Sequence, residues 1–252
     1  MILLFTDFGP GGPYLGQMKA VLAEIAPAVP VIDLMSDIPP FDARPGAYLL
    51  AAYAPAFPAE SVFLAVVDPG VGSARPPLVV RAGSHWYVGP GNGLFALVLR
   101  RAAAAGLEIP RAWEIDWRPE RLSATFHGRD LFAPVAARLA LGEAPPGTEL
   151  AAERLARLPG ADWPDDLARI IYVDRYGNAM TGLRAEALAP EATLRAGGRT
   201  LNRARRFSEL PPGEAFWYEN ANGLAEIAVN RGHAAHDLGL APGTEVTVAN
   251  PG

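Results

Sequence analysis

The stretch "VFLAVVDPGVGSARPP" at residues 62–77 decides how the chain is read. From Val62 to Val67 every residue is apolar, the pattern of a strand covered on both faces within a parallel sheet. The run stops at Asp68, crosses Gly70 and Gly72, and meets Arg75 before apolar sequence resumes. In an open α/β sheet the loops at the carboxyl ends of the strands form the crevice where chemistry collects. An acid and a base at the end of a buried strand are therefore candidate functional groups.

The same alternation extends to both sides. "MILLFT" and "VPVIDL" read as strands, and "YLGQMKAVLAEIA" between them has apolar residues at helical spacing. "RPGAYLLAAYAPAF" is predicted as a helix with Pro45 near its first turn, "PLVVRAG" and "HWYVGP" as a pair of strands, and "GLFALVLRRAAAAG" as a helix ending at Gly106. "DLFAPVAARLALG" closes this half as another helix. Strands alternating with helices predict an α/β domain over residues 1–158, with a mostly parallel sheet covered by helices. Residues 159–168, "PGADWPDDLA", form a Pro/Asp/Gly-rich linker candidate. Beyond it "RIIYVD", "ATLRAGGRT", "AFWYEN", "LAEIAVN" and "TEVTVA" are short strands between turns, which predicts a smaller antiparallel β-barrel or sandwich over 169–252.

Composition narrows the function classes. The chain has 252 residues, half of them hydrophobic and 19% charged, with a formal net charge of −5, so a surface that tracks a nucleic-acid backbone is not expected. Cysteine is absent, which removes disulfides, thiolate nucleophiles and thiolate metal sites. No apolar stretch is long enough to span a bilayer, and "MILLFTDFG" reads as a first strand rather than a signal peptide, so a cytoplasmic protein is expected. HExxH, GxSxG, a Walker loop and GxGxxG are all missing, and no His/Asp ligand cluster is seen; neither a metal nor a bound cofactor is expected.

Four loops at predicted strand or helix ends carry polar groups: "TDFG" at 6–9, "VDPGVGSAR" at 67–75, "VGPGNG" at 88–93 and "FHGRD" at 126–130. Each has a plain reading. Asp7 can cap a helix, Gly91-Asn92-Gly93 can be a turn, and Arg75 can simply pair with Asp68. Taken together, Asp68, Arg75 and His127 are what a hydrolytic site needs to position and deprotonate water.

In order and spacing, "TDFG", "DPGVGSAR", "GPGNGL", "FHGRD", "DRYGN" and "ENANGLAEIAVN" resemble the S-adenosyl-L-methionine hydroxide adenosyltransferase family, relatives of the fluorinase and chlorinase. The resemblance implies an N-terminal α/β domain, a C-terminal β-barrel, and a homotrimer with the ligand between neighbouring subunits. It implies hydrolysis of S-adenosyl-L-methionine to adenosine and methionine, with Asp68, Arg75 and His127 as the catalytic set. Sulfonium chemistry agrees, because methionine leaves as a neutral thioether and water need only be aimed at ribose C5′. Either Asp68 or His127 takes the proton, and Arg75 orients the water.

The substrate contacts implied by the resemblance are spread along the chain. Asp7 would hold the ribose hydroxyls, with Phe8 of the same motif and Phe41 packing beside the ligand. Val71, Asn92 and Gly128 complete the first domain's contacts, Gly128 standing where relatives have a serine. From the second domain come Asp174 for the methionine amine, Tyr176 for the adenine face and Asn178 for its polar edge, with a plain turn as the alternative reading of that motif. Arg231 would offer only backbone to adenine. At Ala221 and Asn222 the relatives' serine and the fluorinase's arginine are missing, so Asn222 and backbone N–H groups are expected to take over the methionine carboxylate.

Two other functions compete with hydrolysis. The fluorinase has tyrosine at the positions of Asp68 and His127 and threonine at that of Val71. A carboxylate there would repel a halide by about 4 kcal/mol at about 4 Å with an effective dielectric near 20, which favours water. A trimeric adenosyl-ligand sensor with little turnover would have no need of the Asp68, Arg75 and His127 set.

Overall fold

The structure is a computed structural model and describes residues 1–106 and 108–249. The chain divides into two compact units, Met1–Trp163 and a second beginning at Pro164. Residues 250–252, at the end of the expected second domain, lie outside the described residues.

The first unit is built on a seven-stranded sheet: β1 (Ile2–Thr6), β2 (Val31–Met35), β3 (Val62–Val66), β4 (Pro77–Ala82), β5 (His85–Pro90), β6 (Arg111–Ile115) and β7 (Gly147–Glu149), in the order β2-β1-β3-β5-β4-β6-β7. β2, β1, β3 and β5 are parallel neighbours, and only β4 and β7 run against the rest. β1 and β3 are buried at every position, which is why their sequences carry no polar alternation. The two-residue turn Gly83-Ser84 makes β4 and β5 an antiparallel hairpin, with Gly83 at φ 56°. Strands β6 and β7, at one end of the sheet, were not foreseen from sequence.

Helices cover both faces. α1 (Tyr14–Ile25), α4 (Ala133–Ala140) and the Phe132 that caps α4 pack Met18, Leu22, Phe132 and Val135 against Ile2, Leu4, Leu64 and Val66. α2 (Ala43–Tyr53) and α3 (Ala96–Ala105) lie together, and at Gly46 of α2 a side chain would meet Leu94, Ile38 and Phe5. Asp42 caps α2 by accepting from the Arg44 N–H, and Gly106, at φ 66°, ends α3. α5 (Ala152–Leu155) is short. The expected linker divides between the units: Arg100 of α3 donates to the carbonyls of Gly160, Ala161 and Trp163 in the first, while Leu167 already opens the first strand of the second.

The second unit holds two antiparallel sheets. β8 (Leu167–Val173), β9 (Ala179–Arg184), β12 (Ala215–Glu219) and β13 (Leu224–Val229) pair in the order β12-β13-β9-β8. β10 (Thr193–Ala196), β11 (Arg199–Leu201) and β14 (Thr247–Ala249) pair as β11-β10-β14. Two isolated bridges link Arg169 of β8 to Glu245, just before β14, and Trp217 of β12 to Arg203, just after β11. "ATLRAGGRT" is thus two strands, broken at Gly197 and Gly198, which both have positive φ. β9 was missed because "AMTGLR" mixes small and polar residues, although every position but Arg184 is buried.

Candidate active site

The order β2-β1-β3 makes the β1/β3 boundary the point where the chain switches direction across the parallel sheet. Thr6 is in register with Val66, so Asp7 and Asp68 emerge from the carboxyl ends of adjacent strands. The crevice rule therefore places both acids in one locus.

Asp68 and Arg75 form a bidentate pair. Arg75 Nε donates to Oδ1 at 2.7 Å, and Nη2 donates to Oδ2. The two side chains are only 4% and 9% exposed, and the guanidinium also stands 5.3 Å from the centre of the Phe132 ring. A buried ion pair gives little net stability, so this one is better explained by what it positions.

His127 completes the line. Arg75 Nη2 lies 3.1 Å from its Nδ1. A guanidinium N–H can only donate, so Nδ1 accepts and the imidazole carries its proton on Nε2. Burial and the adjacent Arg75 both hold this histidine below its ordinary pKa, which keeps it neutral.

The loop carrying Asp68 is tied down from several sides. Val71 N–H donates back to the Asp68 carbonyl, and Asn92 Nδ2 donates to the Val67 carbonyl at 2.8 Å, bracing the strand end just before the acid. Gly72, at φ 80°, passes so close to the 123–127 segment that a Cβ would lie 2.7 Å from the Ala124 carbonyl oxygen. This contact brings the Asp68 loop beside His127.

Phe8, Tyr14, Val71, Phe126, His127 and Gly128 line a pocket of about 150 Å³ together with Asp68. Phe8, Tyr14 and Phe126 form a cluster of rings with centroids 5.3 to 5.9 Å apart. Gly128 opens a π-helical turn ahead of α4, with Met18, Phe126 and Phe8 about where a side chain would go. Tyr14 and Phe126 were not singled out in sequence, where they read as ordinary helix and loop aromatics.

Asp7 does not cap α1, whose N-cap is Pro13 without a side-chain bond. Burial raises its pKa, opposed by backbone N–H groups of Asp7 itself and Phe41, and the charge of Asp68 adds to the rise. Phe41 has a left-handed backbone at φ 68° and is 81% exposed. A non-glycine residue held there with an uncovered aromatic ring is strain of the kind that collects at ligand sites.

In the second unit, the expected contact residues lie on two turns. Asp174 Oδ1 accepts from the N–H groups of Tyr176 and Asn178, and Oδ2 accepts from Asn178 Nδ2 at 3.1 Å. Asp174 therefore builds the turn. It also fixes the amide of Asn178, because a carboxylate can only face the NH₂. Tyr176 is 77% exposed, and Arg231 has φ 55° and is exposed. In the other turn Asn220 Oδ1 accepts from Asn222 and Leu224 N–H, and the Asn220 carbonyl accepts from Gly223 N–H. The backbone N–H groups of 222, 223 and 224 are thus occupied within the turn. The side chain of Asn222 remains.

Among the described residues no group of three or more His, Asp or Glu is gathered to hold a metal ion, and no helix is long and apolar enough to cross a membrane.

The fold and the site define a SAM hydroxide adenosyltransferase: the N-terminal domain of that family matches residues 2–149 and its C-terminal domain residues 168–247, and the chain belongs to the family. It is similar to the (R)-S-adenosyl-L-methionine hydrolase of Thermus thermophilus, 44% identical over 97% of this chain and 98% of the relative. A protein of the same name from Salinispora arenicola is 42% identical over 96% of this chain and 95% of its own. A crystal structure of an uncharacterized conserved protein from Thermotoga maritima superimposes with a TM-score of 0.86 at 29% identity, covering 99% of this chain and all of that one.

Proposed function

We propose that the protein hydrolyses S-adenosyl-L-methionine to adenosine and L-methionine, and that, as the names of its relatives say of them, it takes the R sulfonium epimer. The observation that carries this reading is the Asp68, Arg75 and His127 chain beside a small pocket at the switch point of the sheet. Water attacks ribose C5′ as the C5′–S bond breaks, and the bond pair passes to sulfur to give neutral methionine. Because the sulfonium is already activated as a leaving group, in-line placement of the water supplies most of what the step needs, without a metal.

The Arg75 to His127 contact supports Asp68 as the proton acceptor. His127 Nδ1 is occupied and its Nε2 bears the proton, so the imidazole donates toward the water or ribose oxygen. Asp68 keeps lone pairs beyond those Arg75 uses, and these take the proton of the attacking water. Asp68 at this position also argues against a halide nucleophile.

Asp7 and Phe41 suit the ribose and the ligand's face, with Phe8, Val71 and Gly128 about the reacting atoms and Asn92 holding the loop. Asp174, Tyr176, Asn178, Asn222 and Arg231 are assigned to the methionine and adenine ends. The pocket of about 150 Å³ is well below the roughly 300–1,000 Å³ of small-molecule sites, and the rings of Phe41 and Tyr176 are uncovered, which supports a site completed by a neighbouring subunit of a trimer. The two isolated bridges support reading the second unit's sheets as one closed barrel. Domains of 1–158 and 169–252 and a cytoplasmic location belong to the same reading.

The test is incubation of the protein with each sulfonium epimer in ¹⁸O water, with and without chloride. Labelled adenosine plus methionine, lost in Asp68→Ala, is the expected result. A 5′-chloro product would assign the protein to halogenation, and adenosine binding without turnover would make it a sensor.

A further inference from the structure

Glu226 is an acid inside a strand that is otherwise apolar, and the proposed reaction does not use it. It is 2% exposed in the middle of β13. Burial pushes its carboxyl above the ordinary glutamate range, and nearby Asp174 adds to the rise.

Polar groups meet it from β12 and from the two turns beside it. Tyr218 on β12 places its Oη 2.6 Å from Oε1. Asn220 donates Nδ2 to Oε2 at 2.7 Å. In the turn between β8 and β9 the Asn178 amide, which donates to Asp174 Oδ2 at 3.1 Å, and Asp174 itself are near enough to act electrostatically on the same carboxyl.

Asn220 passes this order on. Its Oδ1 holds the N–H groups of Asn222 and Leu224, both at 3.0 Å, so its amide has one orientation and its NH₂ must face an acceptor. Glu226 supplies that acceptor. The turn from Asn220 to Leu224 is therefore held in place by a carboxyl that lies beneath it and is closed to solvent.

We propose that Glu226 is a positioning residue for substrate recognition: through Asn220 it fixes the turn that carries Asn222, and it stands beside the Asn178 turn. The inference rests on the reading above, in which Asn178 and Asn222 touch the substrate. Glutamine at 226 keeps an acceptor for Asn220 Nδ2 and offers a donor to Tyr218 Oη, whereas alanine keeps neither.

The test measures KM and kcat for S-adenosyl-L-methionine hydrolysis, calorimetric affinity for the same compound, and Tm in Glu226→Ala, Glu226→Gln and Asn220→Ala. In Glu226→Ala, KM and Kd rise about tenfold or more while kcat stays within about threefold, the split that marks lost binding rather than lost chemistry. Glu226→Gln restores KM, and Asn220→Ala reproduces the KM defect with Glu226 intact. A merely structural role lowers Tm and the active fraction and leaves KM unchanged, and that result overturns the proposal. Should Glu226→Ala not fold, Asn220→Ala decides by the same criterion. Wild-type protein that neither binds nor hydrolyses the compound would count against the functional reading, whereas an active wild type with unmoved KM in both alanine variants would count against the positioning role alone.

Discussion

Arg75 touches Asp68 and His127 at once, donating Nε to Asp68 Oδ1 at 2.7 Å and pointing Nη2 at His127 Nδ1 from 3.1 Å. One guanidinium thus sets the orientation of the carboxylate and the tautomer of the imidazole. Lysine, a single point charge, cannot reproduce the fork.

Activity should fall on the acid side as His127 protonates. Its pKa lies below the ordinary histidine value, so the limb is expected below about pH 6.5. The same depression means that His127 contributes stability above that pH and loses it as pH falls through the lowered value. A pH profile of kcat/KM for wild type and His127→Gln checks this: the limb should vanish in the variant, and its persistence there would assign it to another group.

Asp68→Asn removes the proton acceptor and leaves the shape. Turnover should drop by about 10²–10⁴, the usual worth of a positioned general base, while adenosine binds as before. Single-turnover kinetics and calorimetry together separate the two effects. Loss of adenosine affinity in a folded variant would speak against the assigned role.

Asp7 carries opposite effects on binding and stability. Its folded pKa is raised, so the fold favours the protonated form, and stability is lost as pH rises from about 3.8 through the raised value. Asp7→Asn should therefore raise Tm at neutral pH, with the gain shrinking toward acid, while adenosine affinity weakens. Thermal melts over a pH series, paired with adenosine titrations, show both signs or refute one.

Gly72→Ala places a methyl where only 2.7 Å separates it from the Ala124 carbonyl oxygen, on a backbone at φ 80°. The left-handed conformation alone costs roughly 1–2 kcal/mol, and relief of the clash must separate the Asp68 loop from the His127 segment. Denaturant melts should show at least that loss, and turnover should fall further than stability explains.

Much of this arrangement was legible in the chain. The buried runs of β1 and β3 and the spacing of α1 follow from hydrophobic period, and the acids Asp7 and Asp68 end those runs visibly. Strands β6 and β7 and the mixed strand β9 were not, because their residues give no clean alternation and owe their conformation to pairing. Tyr14 and Phe126 looked like any helix and loop aromatics until the fold set them around Phe8. Glu226 did leave a signal, one acid in "LAEIAV", but its partners come from β12 and the turns flanking β9 and β13.

By itself the sequence determined the elements and the residue types at their ends, because local hydrophobic period and turn chemistry act over a few neighbours. Tertiary structure decided which ends meet: β1 beside β3 puts Asp7 next to Asp68, and Gly72 against Ala124 sets Arg75 on His127. It also decided that the N–H groups of 222 to 224 are occupied within their own turn, and that Glu226 lies beneath it. Hydrogen bonds depend on angstrom-scale distances between residues far apart in the chain, and only packing fixes those distances.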